Sequence, residues 1–295
     1  MKVAGVYIRR RESIAVVYDE NGKQLFRSLG DGANYHSAGK EGIVGLVSRI
    51  LKGAGSIDCM CIGVAGCDRE KNMRALGAEM NRHFRDCMVY NNGVIALVGA
   101  SGKALGSRDS VLVEADTGSV AVGVNRRGEV LRVGGWGYLL GDEGGAFDIG
   151  RRAIGHAARA YDRFESDDLV SEILEALALG DMGDVIDLYD IEDPVQYIAE
   201  LFPVVCRSDS EIAGAILEDG AEALAASVRV LAERLEMGDD RVLYETGRVF
   251  DEQVYREMFE RKTEGFSIER PEHGPEVGAA MLAMEKLAGR FTELD

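Results

Sequence analysis

Several features that would place this chain outside the ordinary globular proteins are scarce or absent. It has 295 residues but only four prolines and no tract rich in proline and serine, which excludes long linkers and extensive disorder. No window approaches about 18 uninterrupted apolar residues, so no membrane-spanning helix is predicted. The N-terminus runs into three arginines at 9–11 without the apolar core of a signal peptide, and we therefore expect a cytoplasmic protein.

Cysteine, histidine and positive charge are also in short supply. Five cysteines, an odd number with no CxxC pair, favour free buried thiols over an iron–sulfur or zinc site. The four histidines form no cluster with ligand spacing, so no metal site is predicted. There are 34 Lys and Arg against 51 Asp and Glu, a formal net charge of −17. This excludes nucleic-acid and anionic-membrane surfaces, which need basic patches, but allows a small anion held by backbone amides.

A pattern of strands and turns occurs twice in the chain. The first copy has three short strands, predicted at 3–7, 14–18 and 24–27. The second copy has three more, about 108 residues later, at 111–115, 119–124 and 130–133. Each copy is typical of a strand meander with glycine-containing turns. The length and this repeat predict two similar α/β lobes facing each other across a cleft.

Helical periodicity dominates the second half of the chain. Apolar residues recur at 3.6-residue spacing over 144–161, 167–179, 194–206 and 212–236. A last helix is predicted over 275–290, with Pro275 near its start, where a missing N–H costs little. Since ligands of α/β sheets bind beyond the carboxyl ends of strands, the turns after those strands are where we expect the chemistry.

A glycine-rich run at 134–145 is the most informative stretch. It contains Asp142 and Glu143 and precedes a predicted helix, as expected where the backbone approaches a ligand closely. This run resembles the BadF/BcrA-type ATPase and N-acetylglucosamine kinase family, within the sugar kinase, heat-shock-protein 70 and actin superfamily. Further similar segments lie at 33–39, 61–66, 117–119, 247–250 and 278–283, so the resemblance is collinear over about residues 3–285.

The resemblance implies a fold, a chemistry and an assembly. The fold is α/β, with two actin-like, ribonuclease-H-like lobes that arose by internal duplication and flank a central cleft. It places one lobe at 1–108, joined by the C-terminal helix at 275–295, and the other at 109–274, with a helical insertion. The chemistry is phosphoryl transfer from ATP, with Mg, to a sugar hydroxyl, and the assembly is a homodimer.

The resemblance also implies site residues. The position of the catalytic carboxylate falls on Asn92. Substrate-binding positions fall on Asn34, Trp136, Gly137, Asp142 and Glu143, and cofactor-binding positions on Thr117, Gly118, Ser119 and Gly247. Other interpretations of some side chains stay open: Asp142 as part of a turn that caps the next helix, Trp136 as lobe core, and Asn34 as a plain loop residue.

The sequence departs from the family pattern at the chemical positions. The metal-organising Asp of the first turn has become Tyr7, and the phosphate glycines that follow have become residues such as Arg9 and Arg10. Asp116 puts a carboxylate where the second turn would meet phosphate, and the amide of Asn92 is no general base. Arg248 stands where a small residue is usual.

Three hypotheses follow. The departures put ATP and Mg in doubt and favour a relative with impaired catalysis that binds a sugar or a partner protein. The alternative is an active ATP-dependent kinase of an amino sugar or sugar acid, with a rebuilt phosphate site. A third is a different reaction in the same cleft.

Overall fold

The computed structural model describes residues 1–165 and 167–289, and these divide into two compact units. Unit 1 consists of Met1–Ser110, Val124–Val130 and the described chain from Arg270 onward. Unit 2 consists of Val111–Gly123 and Leu131–Glu269. In the described residues, no helix is long and apolar enough to cross a bilayer.

In residues 1–165 and 167–289, ten strands form two five-stranded sheets. The first sheet contains β1 (Lys2–Ile8), β2 (Glu12–Asp19), β3 (Gln24–Asp31), β4 (Cys59–Val64) and β5 (Cys87–Tyr90), in the order β3-β2-β1-β4-β5. The second contains β6 (Asp109–Ala115), β7 (Ser119–Val124), β8 (Val130–Gly134), β9 (Arg241–Thr246) and β10 (Ser267–Glu269), in the order β10-β9-β6-β7-β8. If β1–β5 are matched with β6–β10 in chain order, the two sheets have the same strand order. The predicted α/β fold with a duplicated lobe is therefore confirmed.

Ten α-helices accompany these strands in the described chain. They are α1 (Tyr35–Ile50), α2 (Glu70–His83), α3 (Asn92–Ser101), α4 (Ala146–Asp162), α5 (Asp168–Ala176), α6 (Pro194–Ala199), α7 (Phe202–Arg207), α8 (Glu211–Arg234), α9 (Gln253–Lys262) and α10 (Pro275–Ala288). Two 3₁₀ helices, Met182–Asp190 and Arg248–Asp251, complete the set.

In unit 1 the sheet lies between two helical layers, because successive side chains of a strand point to opposite faces. Along β1, Val6 and Ile8 belong to the apolar cluster that includes α1 and α2. Val3 and Tyr7 belong to the cluster that includes α3 and α10. Here β1 pairs with β2 in antiparallel and with β4 in parallel orientation, and β4 pairs with β5 in parallel orientation. The carboxyl ends of β1, β4 and β5 therefore lie at one edge of the sheet.

Unit 2 has one large apolar cluster, formed by its sheet and most of its helices. Its chain between β8 and β9 carries α4 to α8 and a 3₁₀ helix, whereas the matching connection between β3 and β4 in unit 1 carries only α1. The second copy of the lobe is thus enlarged by a helical insertion.

The continuous helix predicted over 194–206 is wrong. The chain forms two short helices there, α6 and α7, and Pro203 lies within the first two residues of α7. Proline has no N–H to donate to the preceding turn and its ring clashes with that turn, so the first helix ends and a second begins. The predicted last helix, 275–290, ends at Ala288, and residue 290 lies outside the described residues.

Candidate functional site

The turn between β1 and β2 is closed by its own backbone. The Arg9 amide N–H donates to the Glu12 carbonyl at 2.8 Å, and the Arg9 carbonyl accepts from the Ala33 amide at 2.8 Å. The Arg9 and Glu12 side chains form an ion pair at 3.5 Å. A Cβ on Gly32 would lie 2.3 Å from backbone atoms of Arg11, so a second segment packs directly on the turn. A phosphate cradle needs a glycine turn with amides directed outward, and this turn does not provide one.

Tyr7 is a core residue. Its side chain is 5% exposed and packs in the same apolar layer as Val3 and Ile95. The Arg9 guanidinium carbon lies 6.0 Å from the centre of the Tyr7 ring. The position that the family gives to a metal-organising carboxylate is therefore filled by an aromatic ring. The side chains present do not fit a magnesium ion here.

Asn92 begins α3 directly after β5, at the sheet edge where β1 and β4 end. Its Nδ2 donates to the Ile8 carbonyl at 3.2 Å, and that carbonyl also accepts from the Ala65 amide at 2.9 Å. This bond fixes the orientation of the amide, because the flipped group would place two acceptors together. Oδ1 is buried without a hydrogen-bond partner in the described structure. A Cβ on Gly63 would lie 2.6 Å from this oxygen, which explains why the neighbouring strand has glycine there.

Asn34 lies beside the end of the same strand, β4. Its Oδ1 accepts from the His36 amide at 2.9 Å and so caps α1. A Cβ on Gly66 would lie 2.7 Å from that oxygen, and Gly66 has a φ of +77°, which favours glycine. Asn34 and Asn92 are thus held at the same edge of the unit 1 sheet, the edge where ligands of α/β sheets bind.

The matching turn of unit 2, residues 116–119, keeps more of the family's backbone. The Asp116 amide donates to the Gly118 carbonyl at 2.8 Å. The first amides of α4 donate back to this turn: the Ala146 amide to the Asp116 carbonyl at 2.8 Å and the Phe147 amide to the Thr117 carbonyl at 3.0 Å. The turn is therefore bound to the N-terminus of α4.

The side chains of this turn are engaged by two other elements. Arg248 Nε donates to Asp116 Oδ1 at 2.7 Å, and its Nη1 lies 3.4 Å from Glu200 Oε1. The bond to Asp116 raises the pKa of the Arg248 guanidinium above its ordinary value. Thr117 Oγ1 donates to Gln196 Oε1 at 2.9 Å. The guanidinium neutralises the Asp116 carboxylate where the family pattern would place phosphate.

Asp142 packs on the same turn. A Cβ on Gly118 would lie 2.3 Å from Asp142 Oδ2, and Asp142 Oδ1 accepts from the Gly137 amide at 3.0 Å. Burial raises the pKa of the Asp142 carboxyl, and the charge of Glu143 adds to this, while the Gly137 amide and Arg132 oppose it. The φ of Asp142 is +63°, a conformation that few non-glycine residues adopt.

Glu143 and Ser119 border a cavity of about 330 Å³ in unit 2. Ser119 Oγ donates to the Glu143 backbone carbonyl at 2.7 Å, and Glu143 is an exposed residue. The other walls are mainly apolar and come from β6, β7, β8 and α8: Val113, Val120, Val133, Ala223 and Leu224. This space can hold a small ligand beside two of the predicted site residues.

Trp136 and Gly247 differ in their surroundings. The Trp136 side chain is 67% exposed and the Arg132 guanidinium carbon lies 5.2 Å from its ring centre, so it is not lobe core. Gly247 packs on β6, since a Cβ there would lie 1.9 Å from the Ala115 carbonyl oxygen. It directly precedes Arg248, which reaches the turn after the same strand.

Within unit 2 the structure brings several predicted site residues together at the turn that follows β6. They are Thr117, Gly118, Ser119, Asp142, Glu143 and Gly247. Sequence reasoning missed the pairing of Asp116 with Arg248, and missed Gln196 and Glu200 altogether. The sequence did contain a signal for this pair. The family has small residues at both positions, whereas here the two side chains carry opposite charges.

Metal-binding and reactive groups are otherwise scarce in the described part of the chain. It contains no group of three or more His, Cys, Asp or Glu side chains placed to hold a metal ion. Burial raises the pKa of Cys67 and Cys87 to about 12 and that of Cys59 to about 11, which disfavours the reactive thiolate form.

Comparison with known proteins settles the family. A model of the BadF/BadG/BcrA/BcrD ATPase family matches residues 12–283. The chain belongs to this family. It is 28% identical to N-acetyl-D-glucosamine kinase of Dictyostelium discoideum, over 91% of this chain and 93% of that one. It is 32% identical to N-acetylmuramic acid/N-acetylglucosamine kinase of Clostridium acetobutylicum, over 72% of this chain and 74% of that one.

A solved structure supports the fold. It is that of a putative N-acetylglucosamine kinase from Chromobacterium violaceum, which is 22% identical, superposes with a TM-score of 0.75, and matches 96% of this chain and 98% of that one. The actin-like, two-lobed sugar kinase fold is thereby confirmed.

Proposed function

We propose that this member of the BadF/BadG/BcrA/BcrD family binds an amino-sugar-type ligand and does not phosphorylate it. The observation that carries the proposal is the geometry of Asn92. Its Nδ2 is committed to the Ile8 carbonyl, and its Oδ1 is a buried acceptor without a partner in the described structure.

An acceptor held in this way suits a hydroxyl group that donates to it. A buried polar atom without a partner carries a free-energy cost, and a ligand hydroxyl would remove that cost. The amide cannot go further and take the proton, because it is no base at neutral pH. Phosphoryl transfer to a sugar hydroxyl needs a carboxylate at such a position to accept that proton. The geometry therefore supports ligand binding over catalysis.

The nucleotide side of the proposal depends on the two turns. The turn at 8–12 is closed by its own hydrogen bonds, and Tyr7 provides no carboxylate for Mg. The turn at 116–119 carries Asp116 paired with Arg248. We expect Mg-ATP to bind with a dissociation constant above roughly 1 mM, which corresponds to about −4 kcal/mol. Micromolar Mg-ATP affinity by calorimetry would contradict this.

The substrate class rests on the relatives. The two curated relatives are named as kinases of N-acetylglucosamine, one of them also of N-acetylmuramic acid. Within unit 2, Glu143 and Ser119 provide polar groups beside the cavity. The second candidate, an active kinase with a rebuilt phosphate site, is favoured by one observation: residues 9–11 put three guanidinium groups on the first turn.

The test combines binding with turnover. Thermal shift with N-acetylglucosamine and related sugar acids should raise the Tm of the wild type, because a ligand that binds only the folded state stabilises it. Asn92→Ala should lose this shift. A coupled ADP-release assay should give no turnover for the wild type or for Asn92→Asp. Asn72→Ala, the same change on α2, is the matched control for Asn92→Ala and should keep the sugar-induced shift.

The outcomes separate the candidates. Turnover by the wild type, or by Asn92→Asp alone, would establish the kinase and end the proposal. A sugar-induced shift that survives Asn92→Ala would show that the ligand binds elsewhere. Absence of any shift across the panel would refute the choice of an amino-sugar ligand.

A further inference from the structure

The helical insertion of unit 2 carries a feature that the proposed sugar site does not use. Residues 164–206 contain 12 Asp and Glu but no Lys, Arg or His, so most of the chain's net charge of −17 resides in this segment. Within it, the nine residues of the 3₁₀ helix Met182–Asp190 follow a strict period of three.

A 3₁₀ helix has three residues per turn, so residues three apart share a face. Met182, Val185 and Leu188 form the inner face, which packs on the core of unit 2. The second face is formed by Gly183, Ile186 and Tyr189, with the Ile186 side chain 69% and the Tyr189 side chain 87% exposed. The third face is formed by Asp184, Asp187 and Asp190, all exposed. An apolar ridge thus runs beside an acidic stripe along the whole helix.

A further exposed aromatic residue, Phe164, follows the end of α4. The end of α4 is hydrogen-bonded to the start of this 3₁₀ helix. Tyr161 Oη donates to the Asp181 carboxylate at 3.1 Å, and Asp181 also accepts from the Gly183 amide at 2.8 Å at the start of the ridge. Phe164, three residues beyond Tyr161, is 97% exposed. Its φ is +57°, a left-handed conformation that is strained for a bulky residue. Packing in the described structure gives no reason for a phenylalanine there.

Large exposed apolar side chains that are grouped in this way mark interaction surfaces. We propose that the ridge, defined as the face of Ile186 and Tyr189, binds a partner protein through a basic amphipathic segment, together with the exposed Phe164 that follows α4. Apolar side chains of that segment would cover the ridge, and its Lys or Arg side chains would meet Asp187 and Asp190. Tyr189 adds an aromatic face for a cation.

The negative charge of this segment distinguishes between the possible binding partners of the ridge. A second copy of this chain would bring its own acidic segment against this one, and like charges facing each other oppose association. An anionic membrane and nucleic acid are repelled for the same reason. A basic partner is attracted by the acidic stripe, which accelerates encounter, while the apolar ridge excludes partners that carry charge alone.

Fluorescence anisotropy of the full chain with two labelled peptides tests the proposal. One peptide is an 18-residue helix former with Leu on one face and Lys on the other, and the second replaces every Leu by Gln. The first peptide should bind at least about tenfold more tightly than the second, and added salt should weaken its binding.

Variants of the chain test the two faces separately. Ile186→Ser with Tyr189→Ser should weaken the binding of the Leu–Lys peptide about tenfold. Asp187→Asn with Asp190→Asn should weaken the binding of this peptide less and should reduce the salt dependence of its affinity. Leu29→Ser, at a 67% exposed apolar position of unit 1, is the matched control and should change nothing.

Phe164→Asn separates binding from folding. Asn tolerates the left-handed conformation, so the Tm should not fall, while the affinity for the Leu–Lys peptide should. Equal affinity for both peptides, or full affinity after Ile186→Ser with Tyr189→Ser, would overturn the proposal. A wild-type dimer in sedimentation velocity that the same double variant dissociates would overturn it in favour of a second copy.

Discussion

The turn between β1 and β2 and the turn between β6 and β7 occupy equivalent positions in the two copies of one sheet, yet they differ in kind. In unit 1 the glycines are gone, the hairpin is closed by the Arg9 amide, and Tyr7 is part of the core. In unit 2 the Thr117–Gly118–Ser119 backbone remains, and what differs is charge: Asp116 and its partner Arg248.

The difference indicates two ways of departing from a phosphate-binding turn. The change in unit 1 is built into backbone and packing, so single substitutions should not reverse it. The change in unit 2 lies in the partly exposed side chains of Asp116 and Arg248. Removing these side chains should lower the free energy of unfolding only slightly.

The largest effect is expected from Tyr7→Asp, which restores the family's residue in unit 1. It would place a carboxylate in a buried apolar layer that Tyr7 shares with Val3 and Ile95. An uncompensated buried charge costs about 3–5 kcal/mol. Urea unfolding monitored by circular dichroism should report this loss. Tyr7→Phe, the control, keeps the apolar ring and should cost no more than about 1.5 kcal/mol. A well-folded Tyr7→Asp protein with unchanged stability would contradict the assignment of this turn to the core.

The sequence predicted the repeated meander and the α/β class, because strand periodicity and glycine turns are local signals. It also located the residues that depart from the family, including Asn92 and Asp116. It could not predict that Asn92 bonds the Ile8 carbonyl or that Arg248 reaches Asp116, since these pairs are 84 and 132 residues apart in the chain. Nor did helical periodicity detect the 3₁₀ helix Met182–Asp190, because its repeat is three rather than 3.6.

The second prediction concerns a buried carboxyl that the equivalent strand of unit 1 lacks. Glu245 lies near the end of β9, whereas β4 carries only apolar side chains and a glycine. Burial raises the pKa of Glu245 to about 7, and the charge of Glu260 adds to this while Arg256 opposes it. Between about pH 4.5 and 7 the folded protein therefore holds a proton that the unfolded chain has lost. Stability should fall as the pH rises through this window, by at most about 3 kcal/mol, and stay at that lower level above it.

Glu245→Gln should remove this dependence. The variant should exceed the wild type in stability at pH 8 and approach it near pH 4, as measured by urea unfolding across that range. Glu257→Gln, an exposed position on α9, is the control and should leave the pH profile unchanged. A wild-type profile that rises between pH 5 and 7, with no difference for Glu245→Gln, would disprove the raised pKa.

The third prediction compares one glycine from each turn region. A Cβ on Gly32 would meet backbone atoms of Arg11 and Glu12 at 2.3 Å, whereas a Cβ on Gly118 would meet the carboxylate end of Asp142 at the same distance. Because backbone cannot move aside as a side chain can, Gly32→Ala should cost about 1–3 kcal/mol and Gly118→Ala less. Gly214→Ala on α8, where a Cβ meets nothing within 4 Å, should stabilise by up to about 1 kcal/mol. If Gly118→Ala proves the more damaging, the unit 2 turn is the more rigid of the two.

The smallest effect is expected from the Asp116–Arg248 pair. A double-mutant cycle with Asp116→Asn and Arg248→Ala should give a coupling energy of about 0.2–1 kcal/mol, because the Arg248 side chain is 55% exposed and its charge is screened by solvent. High salt should reduce the coupling further. Urea unfolding of the four proteins in low and high salt measures both quantities.

The same pair then tests the comparison itself. Replacing both Asp116 and Arg248 by Gly removes the carboxylate and the guanidinium from the unit 2 turn and leaves the unit 1 turn closed. The unit 1 turn still provides no phosphate-binding glycines and no carboxylate for Mg, so this double variant should remain stable and still fail to bind Mg-ATP in calorimetry. Submillimolar Mg-ATP binding by the variant would mean that charge in unit 2 was the whole obstacle. The closed hairpin and the buried Tyr7 ring would then have no part in excluding nucleotide, and the distinction between a turn changed in its backbone and a turn changed in its charge would lose its functional meaning.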